Sequence, residues 1–281
     1  MRVLVLGGNG QLGQCLAKVS AEYTISHVFF ADEIIGNILD QNILNTLFTN
    51  EEPDFVINCA AYTAVDKAED EIELAKAINE TGAKNVAEVC KAFGATLIHI
   101  STDFVFEGNI PALLDEENIA CPISVYGSTK LEGEHRVAEV LDNYYILRTS
   151  WLYSEFAGNF MKTMLRLAND RTELSVIVDQ IGTPTYGVDL ARAIFVIITS
   201  NKTEYGLYHY SNEGAISWFD FASAIFEISN ISIKLNPIKT SEYITKAKRP
   251  AFSAMDKSKI KTKFNLEIPY WRESLKISLK S

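Results

Sequence analysis

The feature that most narrows the fold is a glycine-spaced turn near the N-terminus. An apolar run, Val3–Leu6, passes directly into Gly7-Gly-Asn-Gly10-Gln-Leu-Gly13, and an amphipathic stretch to Ser20 follows. Glycine at this spacing lets the chain turn tightly and brings backbone N–H groups close to an anion at a helix N-terminus. The pattern G-x-x-G-x-x-G is slightly wider than the G-x-G-x-x-G dinucleotide fingerprint. A glycine trio alone is a weak signal, because turns use glycine routinely. Placed between an apolar strand and a helix, it points to a dinucleotide pyrophosphate, with Gly7, Gly10, Gln11, Leu12 and Gly13 at the contact.

The first 150 residues alternate between apolar runs and helical patterns. Strands are expected at Val3–Leu6, Ile25–Phe30, Phe55–Cys59, Thr96–Ile100 and Tyr145–Leu147, with helices near Gly10–Ser20, Ile43–Asn50, Ile72–Phe93 and Val125–Leu141. Strands that are almost continuously Val, Ile, Leu and Phe are buried on both faces, as in a parallel sheet covered by helices. The order predicts an α/β chain with a Rossmann-type doubly wound parallel sheet and right-handed crossovers. Beyond residue 150 the pattern loosens around Pro184, Pro237, Pro250 and Pro269. We therefore expect a dinucleotide-binding domain over 1–150, rejoined by about 185–210. A smaller, partly discontinuous C-terminal substrate lobe would comprise 151–184 and 211–281.

Composition removes several function classes. A formal net charge of −10 argues against nucleic-acid binding, which needs a basic face. No segment reaches the roughly 20 apolar residues of a membrane span. The opening residues run straight into a strand rather than a secretion signal, so a cytoplasmic enzyme is expected. Cys15, Cys59, Cys90 and Cys121 are scattered, as are His27, His99, His135 and His209, so neither a disulfide framework nor a metal site is indicated. His99, inside an apolar strand, is expected to be a core histidine.

Two acids could meet the adenosine side of a dinucleotide. Asp32 ends the second strand, near the position where an acid binds the ribose hydroxyls, although a solvated loop acid is the plain alternative. Asp40 precedes the next helix, and a capping role is the simpler expectation there. No Lys or Arg lies between Lys18 and Lys67. An Arg near this strand end commonly accommodates a 2′-phosphate, so NADH, or use of both NADH and NADPH, is expected. After the third strand, small residues at Ala60 and Ala61, followed by Tyr62, would let a dinucleotide lie flat across the sheet; simple helix–sheet packing is the plain alternative.

The chemistry is expected from Thr102, Tyr126 and Lys130. Tyr126 and Lys130, at i and i+4, share a helix face, and Ser101-Thr102-Asp103 closes the strand before that helix. The ammonium would favour ionisation of a phenol whose free pKa is near ~10. The Thr102 hydroxyl would hydrogen-bond the reacting oxygen, Lys130 would hold the nicotinamide ribose, and Tyr126 would pass its proton to a carbonyl oxygen as hydride reaches the carbon.

These elements resemble the extended short-chain dehydrogenase/reductases, and within them the dTDP-4-dehydrorhamnose reductase family. The resemblance is carried by Ala61-Tyr-Thr-Ala-Val-Asp-Lys-Ala-Glu69, Ser101-Thr-Asp-Phe-Val-Phe-Glu-Gly108, Tyr126-Gly-Ser-Thr-Lys-Leu-Glu-Gly-Glu134 and Arg148-Thr-Ser-Trp-Leu-Tyr153. Asn159-Phe160, Asp179–Pro184, Gly206–His209 and Arg249-Pro250 extend it over nearly the whole chain. It implies reduction of the 4-keto group of a dTDP-linked 4-keto-6-deoxy sugar by NADH or NADPH, giving dTDP-L-rhamnose. It also implies Thr102, Tyr126 and Lys130 as the catalytic trio and places Trp151 beside the sugar.

Asp103, Gln180 within the Asp179–Pro184 segment, Asn159 and Arg249 are the further substrate candidates. An Arg fork suits a diphosphate, with an exposed ion pair as the alternative; Asn159 could instead begin a helix. The first helix reads Gln14-Cys-Leu-Ala-Lys18, without the acids that some relatives use at a metal-assisted dimer contact. No structural metal is expected, and a homodimer stays open. Two other readings keep the fold: an epimerase or dehydratase that retains NAD, and a catalytically silent regulatory subunit. The single acid beside Thr102 disfavours a dehydratase, and the intact trio weighs against the silent subunit.

Overall fold

The computed structural model describes residues 1–281. The first half is a regular alternation: β1 (Arg2–Leu6), α1 (Gln11–Val19), β2 (His27–Ala31), α2 (Gln41–Glu51), β3 (Phe55–Asn58), α3 (Val65–Ala68), α4 (Ile72–Lys76), α5 (Ala83–Phe93), β4 (Thr96–Thr102), α6 (Val125–Val140) and β5 (Tyr144–Thr149). The second half has shorter pieces: β6 (Leu152–Tyr153), α7 (Phe160–Ala168), β7 (Glu173–Ile177), β8 (Ile181–Gly182), β9 (Thr185–Tyr186), α8 (Gly187–Thr199), β10 (Gly206–His209), β11 (Ile216–Ser217), α9 (Trp218–Ile228), β12 (Lys234–Ile238), α10 (Ser258–Phe264) and α11 (Trp271–Ser278). No helix is long and apolar enough to cross a membrane.

The central sheet has six strands in the order β10-β5-β4-β3-β1-β2, and all its pairings are parallel. It is the doubly wound α/β architecture expected from the sequence. Alternate residues of each strand serve opposite faces, and both faces are buried. Val3, Val5, Ile57 and Ile98 join a core with Leu12 and Leu16 of α1 and with Ile194, Phe195 and Ile198 of α8. Leu4, Leu6, Val56 and Leu97 point the other way, onto Leu44 and Phe48 of α2, Val86 and Ala87 of α5, and Val137 of α6. That is why apolar residues run consecutively through these strands.

Chain order places β2 on one side of β1 and β3 on the other, so a crevice opens between the exits of β1 and β3, where doubly wound sheets receive ligands. After β5 the chain leaves the sheet and returns through α8 to add β10 on the β5 edge. The remaining small sheets pair β6 with β9, β7 with β12, and β8 with β11. Between α4 and α5, Ala77–Gly82 forms a π-helical turn within the stretch predicted as one helix. A side chain at Gly133 of α6 would lie 2.2 Å from the Asn79 carbonyl oxygen in that turn, so α6 packs backbone to backbone there. The turn aims the Asn79 side chain at the Tyr62 amide (2.9 Å) and at the Thr129 hydroxyl (3.1 Å), tying the β3 exit to α6.

Candidate active site

The glycine turn is packed so closely that two of its positions leave no room for a side chain. A Cβ on Gly13 would lie 2.4 Å from the Gly8 carbonyl oxygen, and one on Gly7, at φ +75°, would lie 2.8 Å from the Ala60 nitrogen. Gly10 caps α1 without any side-chain hydrogen bond, which leaves the first N–H groups of the helix free for an anion. These residues fit a dinucleotide pyrophosphate.

The same turn forms one wall of a cavity of about 500 Å³. Gly10, Gln11 and Leu12 line it at one end; Thr102, Asp103, Tyr126 and Lys130 line its floor, and Trp151 and Trp218 its far side. Ser124 caps α6 by accepting the Gly127 N–H at 3.1 Å. A Cβ on Gly127 would lie 2.2 Å from the Phe104 carbonyl oxygen, so the first turn of α6 rests directly on the exit of β4. That contact sets Tyr126 over Thr102, with Phe104 edge-on to the Tyr126 ring at 5.5 Å.

Charge in this pocket is governed by burial. The Tyr126 phenol is pushed up to about 12, first by burial; the Thr102 hydroxyl favours its ionised form and the Asp103 carboxylate opposes it. Lys130 is held down to about 8 by burial, against the pull of Glu134. Asp103 is pushed up to about 6 by burial, partly offset by hydrogen bonds from Ser253 and Thr102, and its Oδ2 has no partner.

The expected lowering of the phenol by the ammonium is corrected here. Burial of the hydroxyl raises it instead, while Lys130 Nζ donates to the Ile100 carbonyl oxygen at 2.7 Å.

Several sequence candidates lie outside this cavity. Asp32 accepts the Ile34 and Ile35 N–H groups at 2.9 and 3.0 Å. Asp40 caps α2 through the Asn42 and Ile43 N–H groups. Ala61 lines the cavity, whereas the Tyr62 hydroxyl donates to Glu71 at 2.6 Å on the outside. Asn159 caps α7 through the Lys162 N–H. Gln180 is buried and donates to Thr240 at 3.1 Å, and Arg249 holds Asp66 at 2.7 Å.

Sequence reasoning missed Trp218. Its one signal is the Ser217/Asp220 capping box, which marks a helix start and so places Trp218 in the first turn. No group of three or more His, Cys, Asp or Glu side chains is arranged to hold a metal ion. All four cysteines are free thiols.

Six parallel strands, a glycine turn at the crevice and a Thr-Tyr-Lys floor define a Rossmann-fold reductase of the short-chain type. A family model described as the RmlD substrate binding domain matches residues 1–281. The dTDP-4-dehydrorhamnose reductase of Aggregatibacter actinomycetemcomitans is 38% identical over 98% of this chain and 97% of its own length. A crystal structure of the Bacillus anthracis dTDP-4-dehydrorhamnose reductase in complex with NADP superposes with a TM-score of 0.94 at 40% identity, covering 99% of this chain and 98% of that one. The Clostridium acetobutylicum counterpart also gives 0.94, at 39% identity, covering 100% and 99%. The chain belongs to this family, the dTDP-4-dehydrorhamnose reductases, and is an oxidoreductase.

Proposed function

We propose that the protein reduces the 4-keto group of dTDP-4-dehydro-6-deoxy-L-mannose to dTDP-L-rhamnose, with Tyr126 as the proton donor. The observation that carries this reading is the placement of Thr102, Tyr126 and Lys130 on the floor of one cavity whose end wall is the α1 glycine turn. When bound, the nicotinamide supplies the hydride, as NADH or NADPH. Gly7, Gly10, Gln11, Leu12 and Gly13 would hold its pyrophosphate, Ala60, Ala61 and Tyr62 its flat path over β3, and Asp32 and Asp40 its adenosine side. Residues 1–150 with about 185–210 would then be the cofactor domain, and 151–184 with 211–281 the substrate lobe.

A phenol pushed up to about 12 stays protonated at neutral pH, the form required to deliver a proton to the keto oxygen. Thr102 orients that oxygen, and the Lys130 ammonium stabilises the phenolate left behind. Asp103 and the Trp151 indole meet the sugar, the latter through an apolar face. Gln180 and Asn159 support the lobe wall, and Arg249 reaches a diphosphate only by releasing Asp66. Reduced nicotinamide and a nucleotide sugar place this work in the cytoplasm. The test is consumption of NADH or NADPH by the purified protein across a panel of nucleotide 4-keto-6-deoxy sugars. Steady consumption with the dTDP sugar is expected; none with any member of the panel would reject the reading.

A further inference from the structure

Directly behind Lys130 lies a polar chain that the reaction so far leaves unused. Parallel pairing of β3 and β4 sets Asn58 beside His99. The Asn58 Oδ1 accepts the Ala60 N–H at 3.1 Å, so its Nδ2 is the atom that faces His99 Nδ1, at 3.2 Å. An amide nitrogen donates and does not accept, so Nδ1 must be the bare ring nitrogen and the proton must sit on Nε2. Nε2 lies 3.5 Å from Lys130 Nζ, which spends one of its own hydrogens on the Ile100 carbonyl. His99 and Lys130 are 1% and 2% exposed, so water does not soften the contact.

We propose that Asn58 and His99 are positioning residues that present an imidazole N–H to Lys130 Nζ and thereby weaken its hold on its proton. The proposal rests on reading Tyr126 and Lys130 as the working pair. An N–H aimed at an amine favours the free lone pair over the ammonium. The other groups facing Lys130 are Tyr126 and Glu134 on α6 and Cys59 at the β3 exit. Glu134 pulls in the opposite direction, but its carboxylate is shared with Ser101 and Arg148. Burial and the Lys130 charge hold the His99 imidazole well below its ordinary value, which keeps it neutral as the chain of hydrogen bonds requires. Burial already holds Lys130 down to about 8, and the His99 N–H acts in the same direction, so loss of the Lys130 charge ends the support of the phenolate and sets the alkaline limit of turnover.

Two measurements test this. The ring nitrogens of the protein's four histidines are few enough to assign by 15N NMR, using His99→Phe to identify His99. At neutral pH His99 should show a pyridine-like Nδ1 and a pyrrole-like Nε2; the reverse pattern, or an imidazolium, would overturn the proposal without reference to any substrate. The second measurement is the pH profile of kcat. In Asn58→Asp the carboxylate accepts from Nδ1–H, turning the Nε2 lone pair toward Lys130, and the alkaline limb should rise by about one pH unit. In His99→Phe it should rise by about half as much, and adding Asn58→Asp to that background should bring little more. Limbs that stay in place in folded variants would sink the idea. So would an Asn58→Asp shift of full size without His99, since that would be the carboxylate's charge alone. Tyr126→Phe run alongside separates the two failures: undiminished turnover there would reject the working pair itself.

Discussion

The indoles of Trp151 and Trp218 are stacked, with centroids 3.5 Å apart and planes 8° from parallel, and both rings line the cavity. Trp151 sits at φ +46°, in the left-handed region, where a bulky residue stores roughly 1–3 kcal/mol of strain. The stack and the close approach of Gly182, where a Cβ would lie 2.7 Å from the indole, hold it there. In Trp218→Leu the Trp151 ring loses that support, worth about 0.5–1.5 kcal/mol. The expected outcome in steady-state assays is a KM for the nucleotide sugar raised about twofold to tenfold, with kcat changed less. An unaltered KM would mean that the stack does not shape the sugar site.

Tyr126→Phe removes the hydroxyl proposed as the proton donor while keeping the ring that packs edge-on to Phe104. General acid catalysis contributes about 10²–10⁴-fold, so turnover should fall by at least about a hundredfold. Titration of NADH fluorescence should show cofactor affinity within about twofold of the parent. Near-normal turnover would reject Tyr126 as the donor.

Below the site, Arg148 and Glu134 form a buried two-pronged ion pair at 2.9 and 2.6 Å, each about 5% exposed or less, with Phe106 against the guanidinium. Arg148 Nη1 already lacks a partner. Glu134→Ala would strand the guanidinium in the interior, a loss of about 3–5 kcal/mol. Urea unfolding should show a midpoint far below that of the parent. A loss under about 1 kcal/mol would show that the surroundings re-satisfy Arg148.

What could be read from the chain in advance depended on how local the cause was. The strand–turn–helix at Gly7–Gly13 is written in adjacent residues, and so is the Tyr126–Lys130 spacing; both survive folding unchanged. The Asp40 carboxylate at the α2 start is equally local. Arg148, Glu134 and Ser101 meet only because β4 and β5 pair in one register and α6 lies across them, which no single segment encodes. The π-helical turn at Ala77–Gly82 lies where α6 approaches through Gly133, a contact between segments far apart in sequence. The environment of Lys130 is not legible locally for the same reason: the Ile100 carbonyl that accepts its hydrogen bond comes from another element. Trp218, at the start of α9, meets Trp151, just after β5, across a distance in sequence that periodicity does not span.

Acid stability offers a final test, through His209 on β10. The ring is fully buried, its Nδ1 lies 3.0 Å from the Leu114 carbonyl oxygen, and Nε2 has no partner. Burial first, and Arg148 second, push its pKa down to about 3 from 6.5, against the carbonyl's opposite effect. Between those values the unfolded chain binds a proton that the folded chain refuses. Stability should therefore be full above about pH 6.5 and fall with acid, by up to about 1.4 kcal/mol per pH unit for one histidine. His99, also lowered, acts in the same direction. Asp103, raised to about 6, acts against both below that pH, so the comparison must be made between variants. Urea midpoints measured from pH 7 to pH 5 should decline less steeply in His209→Gln than in the parent. Parallel declines would show that His209 takes up its proton in the folded protein, most simply by opening the contact with Arg148 and Phe106.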